Sequence, residues 1–233
     1  MVVKVDQREI PCLVIGDVHG HHDRLQALLR QEGIIDEENR RTDKDAEVIQ
    51  VGDLGQYDRH THKRDYVTWS MVADYNWVDY VLWGNHDRAV VDVTSSFRGY
   101  DPPTPRVVEL MEKVNPLMAI MRHGHLITHA GLHPTYMEGK TDPHQAILEG
   151  GNIITAISRW RGGYHEAGGI LWRDFVERLW HGMPQIFGHT RQNNVERDRN
   201  SWCIDIGSID NGRLAGIWLP EMRAVEIILN QLK

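Results

Sequence analysis

Five times along this chain a short apolar run ends in a glycine-bearing turn that also carries Asp, Asn or His. Cys12–Ile15 leads into Gly16-Asp17-Val18-His19-Gly20, and Val48–Val51 leads into Gly52-Asp53. Val78–Trp83 precedes Gly84-Asn85-His86-Asp87. Leu126–Thr128 precedes His129-Ala130-Gly131, and Gln185–Phe187 precedes Gly188-His189-Thr190. Apolar runs of this length bounded by glycine read as buried strands. Between them, His22–Gln31 sets Leu25, Leu28 and Leu29 at i, i+3, i+4 and stops at Gly33, the pattern of an amphipathic helix. Arg64–Tyr75 and Arg106–Val114 are weaker helical candidates. Strand, helix, strand in alternation implies parallel crossovers and a layered α/β domain.

The final third changes character. Ser201–Ile206, Leu214–Leu219 and Ala224–Leu229 read as strands, joined by turns at Gly207–Gly212 and Pro220–Arg223. They are expected to form a meander that closes a second sheet. The predicted architecture is an α/β fold, a layered αββα sandwich of two mixed sheets in one domain spanning 1–233. The stretch 98–178 leaves room for a small helical insertion.

Composition narrows the class. The chain has 233 residues, which suits one domain with a substantial core. A formal charge of −7 argues against a duplex nucleic-acid binder and makes a nuclease the weaker reading. No run approaches the length of a membrane span, and residues 1–10 hold no apolar signal core, so a cytoplasmic protein without a membrane partner is expected. Two cysteines, Cys12 and Cys203, cannot build a disulfide framework and read as reduced, buried residues. The tryptophans at 69, 77, 160, 180, 202 and 218 are expected to pack, leaving Trp172 beside Arg173 as the one near a site.

Ligands in open α/β sheets collect at the carboxyl ends of the strands. Asp17, His19, Asp53, Asn85, His129 and His189 each follow a strand-like run, so they should converge on one rim. Carboxylate oxygen, amide oxygen and imidazole nitrogen without thiolate suit Mn, Fe or Zn rather than a structural zinc knot. The donors outnumber the needs of one ion. A carboxylate shared between two ions accounts for the surplus, and two ions about 3.5–4 Å apart can clamp a phosphoryl group. Asp53, after the second and expectedly central strand, is the natural bridge.

These five blocks, in this order, resemble the signature blocks of the calcineurin-like metallophosphoesterases. The set is most similar to the branch of serine/threonine phosphoprotein phosphatases, lambda-type phosphatases and symmetrical dinucleoside-tetraphosphatases. The resemblance spans roughly Leu13 to Leu219. It implies two divalent metal ions, Mn foremost with Fe, Zn or Ni as other options. Asp17 and His19 would hold one ion, Asp53 would bridge, and Asn85, His129 and His189 would hold the second. It further implies a phosphomonoesterase in which a metal-bridging hydroxide attacks phosphorus and His86 protonates the leaving oxygen. Arg59 and Arg173 would grip phosphate oxygens.

One block departs from the family pattern. The Asp58-Arg59 pair comes two residues late, and Gln56 stands where the family has the aspartate that orients the acid histidine. Either Asp58 still reaches His86 or Gln56 serves as a neutral partner. The substrate is expected to be a phosphoprotein or a nucleotide. Two alternatives are symmetrical hydrolysis of dinucleoside polyphosphates and a non-catalytic scaffold on the same fold. Specificity is expected to reside in 57–64 and 136–172, and oligomeric state is open.

Overall fold

The structure is a computed structural model and describes residues 3–5, 10–42, 45–57, 60–91 and 104–229. Two sheets stack face to face. The first contains β2 (Cys12–Ile15), β3 (Glu47–Gln50), β4 (Tyr80–Val81), β10 (Arg213–Leu219) and β11 (Arg223–Ile228), ordered β11-β10-β2-β3-β4. The second contains β1 (Val3–Val5), β5 (Ala119–Arg122), β6 (His125–Ile127), β7 (Gln185–Phe187), β8 (Glu196–Asp198) and β9 (Ser201–Cys203), ordered β1-β5-β6-β7-β9-β8. Both are mixed. β2-β3-β4 and β6-β7-β9 pair in parallel, whereas β10 runs antiparallel to β2 and to β11.

The strand period of two sorts the core into layers. Cys12 and Val14 of β2 face the second sheet, with Ile49, Val51, Ile217 and Leu219, and they meet Ile120, Ile127 and Ile186 there. Leu13 and Ile15 face the other way, onto Leu25, Leu28 and Leu29 of α1 (His22–Gln31) and Trp69 and Val72 of α2 (His62–Tyr75). On the far side Ala119 and Leu126 pack against Ala146, Ile147, Ile153 and Ile154 from α5 (Pro143–Glu149) and α6 (Gly151–Thr155). The result is the expected helix, sheet, sheet, helix stack. Short helices α3 (Asn85–Val91), α4 (Pro105–Val114) and α7 (Ser208–Asn211) complete the elements.

Three expectations change. The last three strands do not form one meander. β9 joins the second sheet beside β7, while the β10–β11 hairpin extends the first sheet beside β2. The chain crosses between sheets at Gly207, whose φ of 83° opens the left-handed turn before α7. β3 is an interior strand, but β2 is the central one. The described residues of 98–178 include β5 and β6 of the second sheet together with α4, α5 and α6. Trp160 does not pack; it is 71% exposed. Both cysteines are free and buried, and burial pushes their thiols far above the ordinary range. Among the described residues, no helix is long and apolar enough to cross a membrane.

Candidate active site

The turns after β2, β3, β4, β6 and β7 meet where the two sheets come together. Glycines permit this closeness. A Cβ on Gly84 would fall on the Asp53 backbone nitrogen and Oδ1, and one on Gly188 would fall on Asp17 Oδ1. His19, Asp53 and His189 hold positive φ angles of 50°, 53° and 71°. Left-handed backbone at three non-glycine residues costs free energy, and such strain clusters at functional sites. Hydrogen bonds hold it in place: His19 N and Val18 N both donate to the Asp53 carbonyl, at 2.8 and 3.2 Å.

All six expected metal ligands are brought together. Asp17, His19, Asp53, Asn85 and His129 are buried, and His189 is nearly so. His19 Nε2 lies 3.9 Å from both Asp17 Oδ2 and Asp53 Oδ2. His129 Nε2 lies 3.5 Å from Asp53 Oδ2 and 2.8 Å from Asn85 Oδ1. His189 Nδ1 lies 2.7 Å from the same Asn85 oxygen and 3.2 Å from His129 Nε2. Donor atoms of His19, Asp53 and His86 gather within 4.8 Å of one another, and so do those of Asp53, His129 and His189. Asp53 is common to both groups.

The donor chemistry fits two cations. His129 Nδ1 meets the Val51 carbonyl at 3.1 Å, so that nitrogen carries the proton. Its Nε2 is then a bare lone pair facing the Asn85 oxygen, another acceptor. Burial pushes His129 down to about 3, so a second proton does not relieve the contact. A cation between the two acceptors does. The carboxylates show the same deficit of positive charge. Asp17 is held well above its ordinary range by burial, then by Asp205 and Asp53. Asp53 is raised by burial and by Asp87. Burial, with His86 and His129 as neighbours, likewise depresses His19. Divalent ions invert this balance by stabilising the carboxylate and neutral imidazole forms.

His86 stands at the edge of the cluster. Its backbone N–H donates to Asp53 Oδ1 at 2.9 Å, and its Nε2 lies 3.8 Å from Asp53 Oδ2. Its Nδ1 faces the Gln56 backbone carbonyl at 3.4 Å. Among the described residues the Gln56 main chain is thus a neutral neighbour of the His86 ring. Burial lowers His86 to about 4, opposed by the Gln56 carbonyl. Asp58 and Arg59 lie outside the described residues.

Sequence reading passed over three groups here. Asp87 accepts from the backbone N–H groups of Leu54, Gly55 and Gly84 and from Tyr57 Oη, the last at 2.6 Å. Asp65 of α2 accepts from the Gln56 and Tyr57 N–H groups at 2.9 and 3.0 Å. Together they shape the loop that the shifted register leaves without its usual pattern. Asp205 is a third buried carboxylate beside Asp17, raised to about 6 by burial. The Asp87 signal was visible in Gly84-Asn85-His86-Asp87; nothing near Asp65 or Asp205 in sequence marked them.

Arg173, expected to grip phosphate, is anchored by the protein's own main chain. It is buried over the Phe187 ring, and its guanidinium donates to the carbonyls of Ala130, Asp174 and Glu177. It pins the loop after His129 to the segment before β7. Trp172 sets its ring edge-on to His189, with centroids 6.0 Å apart. Arg161 is a second arginine near the cluster, alongside Arg173, which is also felt at His189. The Arg161 charge is felt at Asp53, His86, His129 and His189.

A family model for calcineurin-like phosphoesterases matches residues 10–204. The chain belongs to the calcineurin-like phosphoesterase family. It is a metal-dependent phosphoesterase. It is similar to the bis(5'-nucleosyl)-tetraphosphatase PrpE, designated asymmetrical, of Bacillus cereus strain Q1, at 24% identity over 92% of both chains. Among solved structures it resembles a protein provisionally assigned as a diadenosine tetraphosphatase, with a TM-score of 0.62 at 18% identity and 98% of each chain covered. It also resembles the cold-active protein-tyrosine phosphatase of a psychrophilic Shewanella, with a TM-score of 0.59 at 17% identity, covering 96% of this chain and 78% of that one.

Proposed function

We propose that this protein is a two-metal phosphohydrolase acting on dinucleoside polyphosphates. The observation that carries the chemistry is the convergence of Asp17, His19, Asp53, Asn85, His129 and His189 around two shared-carboxylate donor groups, with His86 at their rim. Asp17, His19 and Asp53 would hold one ion, and Asp53, Asn85, His129 and His189 the other, with manganese the first choice for this oxygen and nitrogen set. Bound there, two ions supply Lewis-acid charge at phosphorus and an activated water. Asn85 Oδ1 faces ring nitrogens of both His129 and His189, so the three donor atoms would serve the same ion. With the Nδ1 proton of His86 directed to Gln56, its Nε2 is the atom that would deliver a proton to the departing oxygen.

The substrate assignment is supported by how the relatives match. A dinucleoside tetraphosphatase matches over 92% of both chains, whereas the tyrosine phosphatase carries additional chain beyond this fold. A phosphoprotein phosphatase is the second reading, favoured by the likeness in fold to that enzyme.

A panel of dinucleoside tetraphosphate, phosphoserine and phosphotyrosine peptides, and an aryl phosphate, each with Mn²⁺, tests this. Preferred turnover of the dinucleotide is expected. Its products then report the cut: two diphosphates for an equal split, a monophosphate and a triphosphate for an unequal one. Preference for the phosphopeptides would establish the second reading. No turnover of any substrate with Mn²⁺, Fe²⁺, Zn²⁺ or Ni²⁺ would leave the scaffold reading in its place.

A further inference from the structure

The loop 157–165 is tightly rooted yet spends its largest rings on solvent. Ser158 O accepts from the Arg161 and Gly163 N–H groups, and Ile157 O accepts from His165 N. Arg159 N returns to the His165 carbonyl, and Gly162 closes the turn in left-handed backbone at φ 80°. Despite this order, Trp160 is 71% exposed and Tyr164 is 94% exposed. A fixed loop that leaves two aromatic faces in water offers a stacking surface at little conformational cost.

Arg161 ties the loop to the metal site. Its Nη2 donates to Thr190 Oγ1 at 2.6 Å, next to His189, and its Nε pairs with Asp174 Oδ2 at 2.7 Å. Its Nη1 has no hydrogen-bond partner among the described residues, and the side chain is 29% exposed. It stands close enough to bias Asp53, His86, His129 and His189. Arg159 adds a second exposed cation on the same turn, in a chain whose net charge is −7. An arginine anchored on one edge and open on the other suits a phosphate oxygen.

We propose that the Arg159–Trp160–Arg161 turn is the nucleotide-recognition element of this site, Arg161 taking a phosphate oxygen and Trp160 stacking on a nucleobase. This rests on the dinucleotide reading above. It separates two parts of the substrate that one experiment can pull apart. Steady-state kinetics would be measured on dinucleoside tetraphosphate with Mn²⁺, using inorganic tripolyphosphate as a competitive inhibitor that lacks a base. Trp160→Ala should raise KM for the dinucleotide roughly tenfold, the scale of one base-stacking contact, with the tripolyphosphate inhibition constant held within about twofold. Arg161→Gln should weaken both. Melting temperatures of the two variants exclude misfolding, and Trp160→Phe should restore most of the affinity. An unchanged dinucleotide KM in Trp160→Ala, or equal losses for both ligands, overturns the assignment while leaving the hydrolase reading intact. Absence of dinucleotide turnover by the unmodified protein overturns both.

Discussion

His86 carries the sharpest residue-scale consequence. If it protonates the leaving oxygen, its value depends on how poor that leaving group is. His86→Asn should slow hydrolysis of an alkyl phosphate or dinucleoside polyphosphate by about 10²–10⁴-fold. An aryl phosphate with an acidic phenol should lose far less, and metal content by elemental analysis should be unchanged. Tyr57 gives a structural counterpart. Its hydroxyl donates to Asp87 and accepts from Trp69 Nε1 at 2.7 Å, all inside the core. Tyr57→Phe strands the Trp69 N–H and should cost about 1–3 kcal/mol, read by urea denaturation. That a Gln56 main-chain carbonyl faces His86 is something no sequence pattern encodes.

At the scale of elements, α1 locks the first sheet. Leu28 is fully buried between α1 and the strands, so Leu28→Ala should cost about 2–5 kcal/mol. At the end of α1, Glu32 accepts from Trp218 Nε1 of β10 at 2.7 Å and Arg223 of β11 at 2.9 Å, joining the helix to the hairpin. Burial raises this carboxyl, but the Arg223 and Trp218 bonds outweigh it and the net shift is downward. A depressed folded-state pKa means the stabilisation is present above the ordinary carboxylate range. It is lost as pH falls through the folded value. Glu32→Gln should therefore flatten the stability profile on its acid side, measured as denaturation midpoint between pH 7 and pH 3. The helix itself was legible from Leu25, Leu28 and Leu29 at helical spacing. β8 was not: Glu196–Asp198 has no apolar run, and its strand comes from pairing with Ser201–Cys203.

The whole molecule concentrates unbalanced acids where the sheets meet. Asp17, Asp53, Asp87 and Asp205 are all buried and all raised. Folding without ions therefore works against the site, and ions should stabilise the fold by linkage. Chelation should lower Tm and Mn²⁺ should restore it, with about 2.7 kcal/mol gained at a hundredfold excess over Kd. Asp53→Asn should abolish that metal-dependent shift while leaving the ion-free Tm equal or higher, because one buried carboxylate is gone.

The order of the blocks, read from sequence, determined the αββα plan and brought forward the candidate metal donors and His86. Each of these depends on local pattern: an apolar run, a glycine and a donor beside it. The tertiary structure alone decided which sheet the last strands join, what Arg173 holds, and that Arg161 reaches the cluster. Those outcomes depend on loops closing over long separations, as when Arg161 meets Thr190 and Asp174, and no local spacing records where such a loop lands.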